Sequence, residues 1–139
     1  MILVDTNVVS EPLRRAPEPR VAAWLDAQAL ETLYLSAITV AELRFGVRSL
    51  SAGRRRDWLH EDLEGQVLPM FAGRVLSFDL AASQAYAELM AKARSEGRTI
   101  PVSDGYIAAT AAANGMMVAT RDTAPFKTAG LKTVDPWKV

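Results

Sequence analysis

The sequence predicts an α/β fold, with a parallel sheet covered by helices on both faces. Three observations carry that expectation. Short apolar runs alternate with longer segments of helical periodicity along the whole chain. The first run, Ile2-Leu3-Val4, is continuously apolar rather than alternating, as a strand buried on both faces requires. Strands separated by helices join in parallel through right-handed crossovers, and a sheet built that way carries helices on both sides.

The elements follow in order. After Ile2-Leu3-Val4, the residues Asp5-Thr6-Asn7 are all good helix caps, and a short helix is expected around Val8 to Leu13. Pro19 opens a second helix, with Val21, Trp24, Leu25 and Ala29 near one face. Leu33-Tyr34-Leu35 reads as a second strand. Ser36-Ala37-Ile38-Thr39 then leads into a helix carrying Leu43, Phe45, Val47 and Leu50, which Ser51-Ala52-Gly53 breaks. A longer helix is predicted from about Arg54 to Phe71, with Trp58, Leu59, Leu63, Val67 and Leu68 inward. Val75 to Phe78 is a third strand, and Leu80 to about Glu96 a helix stopped by Gly97. Ser103-Asp104-Gly105 starts an alanine-rich helix that ends at Asn114-Gly115. Met117 to Thr120 is a fourth strand, and Leu131 to Val134 a marginal fifth.

Composition bounds the function. The 139 residues are most simply one domain. Half are hydrophobic and 23% are charged, ordinary for a globular protein. No apolar run approaches the roughly 20 residues needed to span a bilayer. The N-terminus has neither a basic leader nor a long apolar core, so no signal peptide is expected. Absence of cysteine removes disulfides and thiolate metal sites, and fits a cytoplasmic protein. The formal charge is zero, from 16 basic and 16 acidic residues, which argues against a generic nucleic-acid binder. If four acids surround a metal, 16 basic residues face 12 acidic ones, a net +4 for the remainder.

Four acids stand out: Asp5, Glu42, Asp104 and Asp122. Ligands on open parallel sheets bind outside the carboxyl ends of the strands. Asp5 and Asp122 follow strands one and four directly, and Glu42 lies about a helical turn beyond strand two. Asp104 reaches the same edge if its helix points its N-terminus there. Each acid also has a local explanation. Asp5 is a good helix cap. Thr39-Val40-Ala41-Glu42 fits a capping box. Asp104 suits a first helical turn, and Asp122 a turn before Thr123-Ala124-Pro125. Taken together, four clustered carboxylates repel unless a cation sits among them. Hard oxygen ligands select magnesium or manganese, which activate water and stabilise an in-line displacement at phosphorus. Thr6, Asn7 and Ser103 are candidates to bind water or a phosphate oxygen, with capping as their alternative. Arg121 is a candidate phosphate contact or a plain surface residue. Arg54-Arg55-Arg56 reads as a solvated helix start, His60 as a surface residue, and the three tryptophans as packing.

These residues fall in blocks that resemble a known family. Residues 2–11, Ile-Leu-Val-Asp-Thr-Asn-Val-Val-Ser-Glu, look like the opening of a PIN domain. Residues 35–46, containing Thr39-Val40-Ala41-Glu42-Leu43-Arg44-Phe45-Gly46, resemble its second block, residues 103–111 its third, and Ala119-Thr120-Arg121-Asp122 its fourth. In order and across nearly the whole chain, the blocks look like the VapC toxin group, in its FitB-like plasmid-stability branch. The resemblance implies one PIN domain over residues 1–139, a three-layer α/β/α fold with a central five-stranded parallel sheet. It implies a magnesium- or manganese-dependent endoribonuclease, the toxin half of a bacterial toxin–antitoxin pair. Asp5, Glu42, Asp104 and Asp122 would form the catalytic and metal site. A VapB- or FitA-like antitoxin, a homodimer and operator DNA reached only through the antitoxin are implied as partners, with no membrane. The fourth block departs from many relatives, which have Asn where Asp122 stands and a further Asp where Pro125 stands. Two other functions compete. Val4-Asp5-Thr6-Asn7 faintly resembles the nucleophile motif of haloacid-dehalogenase-type phosphatases, and a non-catalytic RNA- or partner-binding protein would leave the acids structural.

Overall fold

A computed structural model describes all of residues 1–139. Five parallel strands form its sheet: β1 Ile2–Val4, β2 Leu33–Ser36, β3 Val75–Leu76, β4 Met117–Ala119 and β5 Thr133–Val134. Their spatial order is β3-β2-β1-β4-β5, and every neighbouring pair is parallel. The chain builds outward from β1 on one side, then crosses to the other side for β4 and β5. The reversal lies between β1 and β4, and in such sheets that point opens a crevice at the strands' carboxyl ends.

The helices are α1 Thr6–Ser10, α2 Pro19–Ala27, α3 Ala37–Arg48, α4 Arg54–Asp62, α5 Leu68–Met70, α6 Leu80–Ser95, α7 Val102–Ala113 and α8 Thr123–Thr128. Two apolar clusters sit on opposite faces of the sheet. Val4 and Leu35 pack with Val8, Leu43, Leu59 and Leu63 from the α1, α3 and α4 side. Leu3 and Val118 pack with Leu89, Ile107 and Phe126 from the α6, α7 and α8 side. Adjacent residues Leu3 and Val4 thus serve opposite cores, as successive side chains of a strand must. This explains why β1 is apolar at every position.

Several elements differ from the sequence expectation. The predicted helix from Arg54 to Phe71 is three pieces, with a π-helical turn at Leu63–Val67 between α4 and α5. Pro69 has no N–H to give the preceding turn, so the regular ladder has no donor there. Leu59, Leu63 and Val67 are buried as expected, but Trp58 is 55% exposed. Phe45 is 74% exposed, and Leu50 also faces out. In α3 the buried stripe runs through Thr39, Val40, Leu43 and Val47, and Phe45 lies off it. α2 stops at Ala27, leaving Ala29 outside it. The third strand ends at Leu76, and Phe78 turns instead to Tyr86 and Tyr106, with ring centroids 6.2 and 5.1 Å away. His60 is exposed, as expected.

Helix α7 is placed by close contact with α6. A Cβ on Gly105 would lie 3.0 Å from Met90 Sδ and 3.1 Å from Tyr86 Cε2, so any larger residue there would press on these two side chains of α6. The chain runs up α7 and back along β4. The N-terminus of α7, with Ser103 and Asp104, therefore lies at the carboxyl end of the sheet.

Candidate active site

The acid cluster is assembled from four chain segments at the β1–β4 crevice. Asp5 leaves β1, and its N–H continues the ladder by donating to the Ala119 carbonyl at 2.9 Å. Its side chain is 4% exposed. The Thr6 N–H donates to Oδ1 at 2.8 Å, and the Thr120 hydroxyl to Oδ2 at 2.8 Å. Asp5 therefore caps α1, and that local role coexists with a place in the cluster.

Glu42 does not act as a capping-box acid. The cap of α3 is Ser36, whose Oγ accepts the Thr39 N–H at 3.0 Å. Thr39 lies inside the helix, so Glu42 is a full turn too late to reach the cap amide. Its carboxylate is held from both sides instead. Thr6 donates to Oε1 at 2.6 Å and Ser103 to Oε2 at 3.0 Å. These two hydroxyls, from α1 and α7, tie Glu42 to the segments carrying Asp5 and Asp104.

Asp104 occupies the first turn of α7, and neither of its carboxylate oxygens has a protein hydrogen bond. Asp122 precedes α8 without capping it through its side chain. Its N–H donates to Thr120 Oγ1 at 3.1 Å, and its exposed carboxylate is free. Thr120 thus links Asp5 to Asp122 while fully buried. Nothing in the chain's periodicity marks Thr120, which reads as the end of a strand. Thr39 was also hidden in its helix; it is buried and lies 3.1 Å from Thr6 Oγ1.

The other predicted site residues divide. Thr6 and Ser103 spend their hydroxyl protons on Glu42. Asn7 fastens the β1–α1 corner to the β4–α8 loop, with Oδ1 accepting the Arg121 N–H at 3.3 Å and Nδ2 donating to Thr120 Oγ1 at 3.5 Å. The exposed Arg121 guanidinium lies 5.0 Å from the Trp137 ring centroid, at the rim of the crevice.

The electrostatics follow from the crowding. Burial pushes the Asp5 carboxyl up from 3.8 to about 6. The hydrogen bonds from Thr120 and Thr6 oppose that rise, and the charges of Asp104 and Glu42 add to it. Asp104 is also raised, first by burial, then by the charges of Asp122 and Glu42. Each ion pair of the molecule lies elsewhere, so no lysine or arginine neutralises any of the four. The cluster is not a closed cage, since no three acidic side chains are drawn tightly enough to hold an ion alone. The donor set is nevertheless all hard oxygen, with net negative charge and hydroxyls between the acids. A cation that keeps several of its own waters suits such an open arrangement. The largest concavity, about 630 Å3 at the end of α6, contains none of the four acids.

The molecule is thus a parallel α/β sheet with carboxylates gathered at its topological reversal. The PIN domain model matches residues 2–131, and the chain belongs to the PIN-domain family. It is 60% identical over 138 residues to the VapC ribonuclease Y4jK of Sinorhizobium fredii, covering 99% of both. It is 53% identical over 137 residues to the toxin FitB of Neisseria gonorrhoeae, again covering 99% of both. The structure of FitAB bound to an IR36 DNA fragment superposes with a TM-score of 0.97 at 52% identity, covering 100% of this chain and 97% of that one. PIN-domain ribonucleases generally use a divalent metal. The family assignment displaces the phosphatase alternative, and the three-layer fold with five parallel strands stands as expected. No helix is long and apolar enough to cross a membrane.

Proposed function

We propose that this chain is the toxin of a type II toxin–antitoxin pair and an endoribonuclease dependent on magnesium or manganese. Asp5, Glu42, Asp104 and Asp122 form its catalytic and metal site. The observation that carries the reading is convergence. Four acids from distant segments meet at the sheet reversal, unpaired by any basic side chain, in a chain 60% identical to a VapC ribonuclease.

Each residue has a separable part in RNA hydrolysis. A bound divalent ion would supply Lewis-acid stabilisation of the phosphoryl oxygens and a more acidic water. Asp104 and Asp122 offer unbonded carboxylate oxygens toward that ion and its waters. Asp5 and Glu42 are fixed by hydroxyl and amide donors, so their oxygens are oriented before substrate arrives. Thr6 and Ser103 orient Glu42, and Asn7 holds the two corners of the crevice together. In the reaction, a water oxygen forms a bond to phosphorus and the P–O3′ bond breaks, leaving a 5′-phosphate and a 3′-hydroxyl. Arg121, whose guanidinium lies 5.0 Å from the Trp137 ring centroid, would contact the phosphate backbone.

The partners follow from the same reading. A cognate VapB- or FitA-like antitoxin covers the site, the toxin pairs with itself, and operator DNA is met only through the antitoxin. The reaction takes place in the cytoplasm. The test is RNA cleavage with magnesium or manganese by wild type, Asp5→Asn and Asp104→Asn. Cleavage by wild type and its loss in both variants is expected, and equal activity in all three would overturn the assignment. Growth arrest by the Asp5→Asn protein would favour a non-catalytic mode of action.

A further inference from the structure

An apolar groove opens directly off the acid cluster. It has a volume of about 370 Å3, with Thr6 and Glu42 at one end, Leu43 and Val47 among its walls, and Arg14 and Arg55 also lining it. Both arginines are held in place. Arg14 Nη1 lies 3.2 Å from the buried Glu11 carboxylate. Arg55 Nη2 donates to the Leu13 carbonyl at 2.7 Å, and its guanidinium lies 5.8 Å from the Trp58 ring centroid. A guanidinium has five N–H donors, so each retains donors for another group.

One glycine in this groove has no role inside the fold. Gly46 lies within α3, one turn after Glu42 and on the same face. A Cβ there would meet no atom within 4 Å, and its φ is not in the left-handed region. Gly65, in the π turn, is the one other glycine with neither a positive φ nor a close neighbour. A glycine in a helix interior costs about 1 kcal/mol relative to alanine. Neither packing nor backbone geometry requires Gly46. The vacant Cβ position leaves room for something approaching from outside.

We infer that this groove is a nucleotide subsite of the substrate: the RNA residue next to the scissile phosphate rests its base over Gly46 against Leu43 and Val47, and its phosphate lies between Arg14 and Arg55. The inference rests on the ribonuclease reading and adds a substrate position to it. Charge decides between occupants. The groove joins a phosphodiester site at one end and presents two anchored guanidinium groups, which suit the bidentate geometry of phosphate. The apolar walls suit the face of a base and carry no donors to select among bases.

The test separates this subsite from the chemistry. Binding of a labelled random-sequence single-stranded RNA is read by fluorescence anisotropy with EDTA present, and cleavage is read separately with manganese. Gly46→Leu fills the groove from the surface and is expected to weaken RNA binding at least tenfold. Gly46→Ala is expected to weaken it less, and both should melt no lower than wild type. Arg55→Gln is expected to lower the log–log salt dependence of binding by about 0.7, the value for one single-strand phosphate contact. Unchanged RNA affinity in Gly46→Leu, or an unchanged salt slope in Arg55→Gln, would overturn the subsite even if wild type cleaves RNA. Loss of antitoxin inhibition in Gly46→Leu with RNA binding intact would assign the groove to the protein partner and overturn it too. Gly46-sensitive binding without cleavage by wild type would sustain the subsite and remove the ribonuclease reading.

Discussion

Asp5 is expected to be a destabilising residue in the metal-free protein, and replacing it with asparagine should raise stability while abolishing cleavage. The magnitude comes from its environment. Its carboxyl is raised from 3.8 to about 6, chiefly by burial. At ~1.36 kcal/mol for each tenfold change in proton affinity, that rise corresponds to about 3 kcal/mol. The folded state binds the proton more tightly than the unfolded chain. The favourable contribution is therefore full below about pH 3.8, falls as pH rises toward about 6, and is absent above it. At neutral pH the folded protein holds an ionised carboxylate in a buried, negatively charged pocket.

Asparagine removes that charge and keeps Oδ1 as acceptor for the Thr6 N–H. It cannot accept the Thr120 hydroxyl at its amide nitrogen, which costs about 1 kcal/mol. The net expectation is a gain of about 2 kcal/mol at pH 7.5 in EDTA. At roughly 2–4 °C per kcal/mol, this is a rise in Tm of about 4–8 °C. The assay is thermal unfolding across pH 4–8, with and without manganese. Wild type should lose stability from pH 4 to pH 6 in EDTA and recover it with manganese, because an ion bound only by the folded state stabilises it. The variant should show neither the pH slope attributable to Asp5 nor the full metal response. An Asp5→Asn protein that melts below wild type in EDTA at pH 7.5 would refute the reasoning.

Other outcomes follow from the same geometry. Asp122 has an exposed, unbonded carboxylate, so Asp122→Asn should lower cleavage by less than ~10-fold, the weak end of outer-shell metal-site effects; Glu42→Gln, measured alongside, should lose far more. Thr120→Val keeps the side-chain shape but removes the hydroxyl between Asp5 and Asp122. It should cost about 1–3 kcal/mol by denaturant unfolding and move the acid limb of the cleavage profile to higher pH, because the bond it deletes holds the Asp5 carboxyl down. Phe126 is fully buried between α8 and the sheet, so Phe126→Ala should cost about 3–5 kcal/mol, read from the urea midpoint.

Much of the architecture could be read locally, because each strand run is flanked by helix signals and β1 is apolar throughout. The misplacements share one physical origin. Helical periodicity identifies a stripe but not its width, so it places Trp58 inward with Leu59, whereas the core takes Leu59 and leaves Trp58 55% exposed. Likewise, the apolar character of Phe78 predicts a third strand that runs two residues past its end at Leu76. In the folded chain its ring meets Tyr86 and Tyr106, a tertiary contact with no local signature.

The site shows the same division between local and tertiary chemistry. Every acid had an adequate local role, and the sequence alone left those roles open. Geometry separates them by the fate of each carboxylate oxygen. Asp5 keeps its cap and still shares Thr120 with the Asp122 backbone. Glu42 is freed from capping because Ser36 does that work three residues before Thr39, and two hydroxyls then aim it inward. Asp104 and Asp122 keep oxygens that no protein donor satisfies. A cluster so arranged raises the proton affinity of Asp5 and Asp104 in the absence of a cation. Ion binding and protonation must therefore compete at the crevice, and metal affinity should weaken as pH falls toward 6.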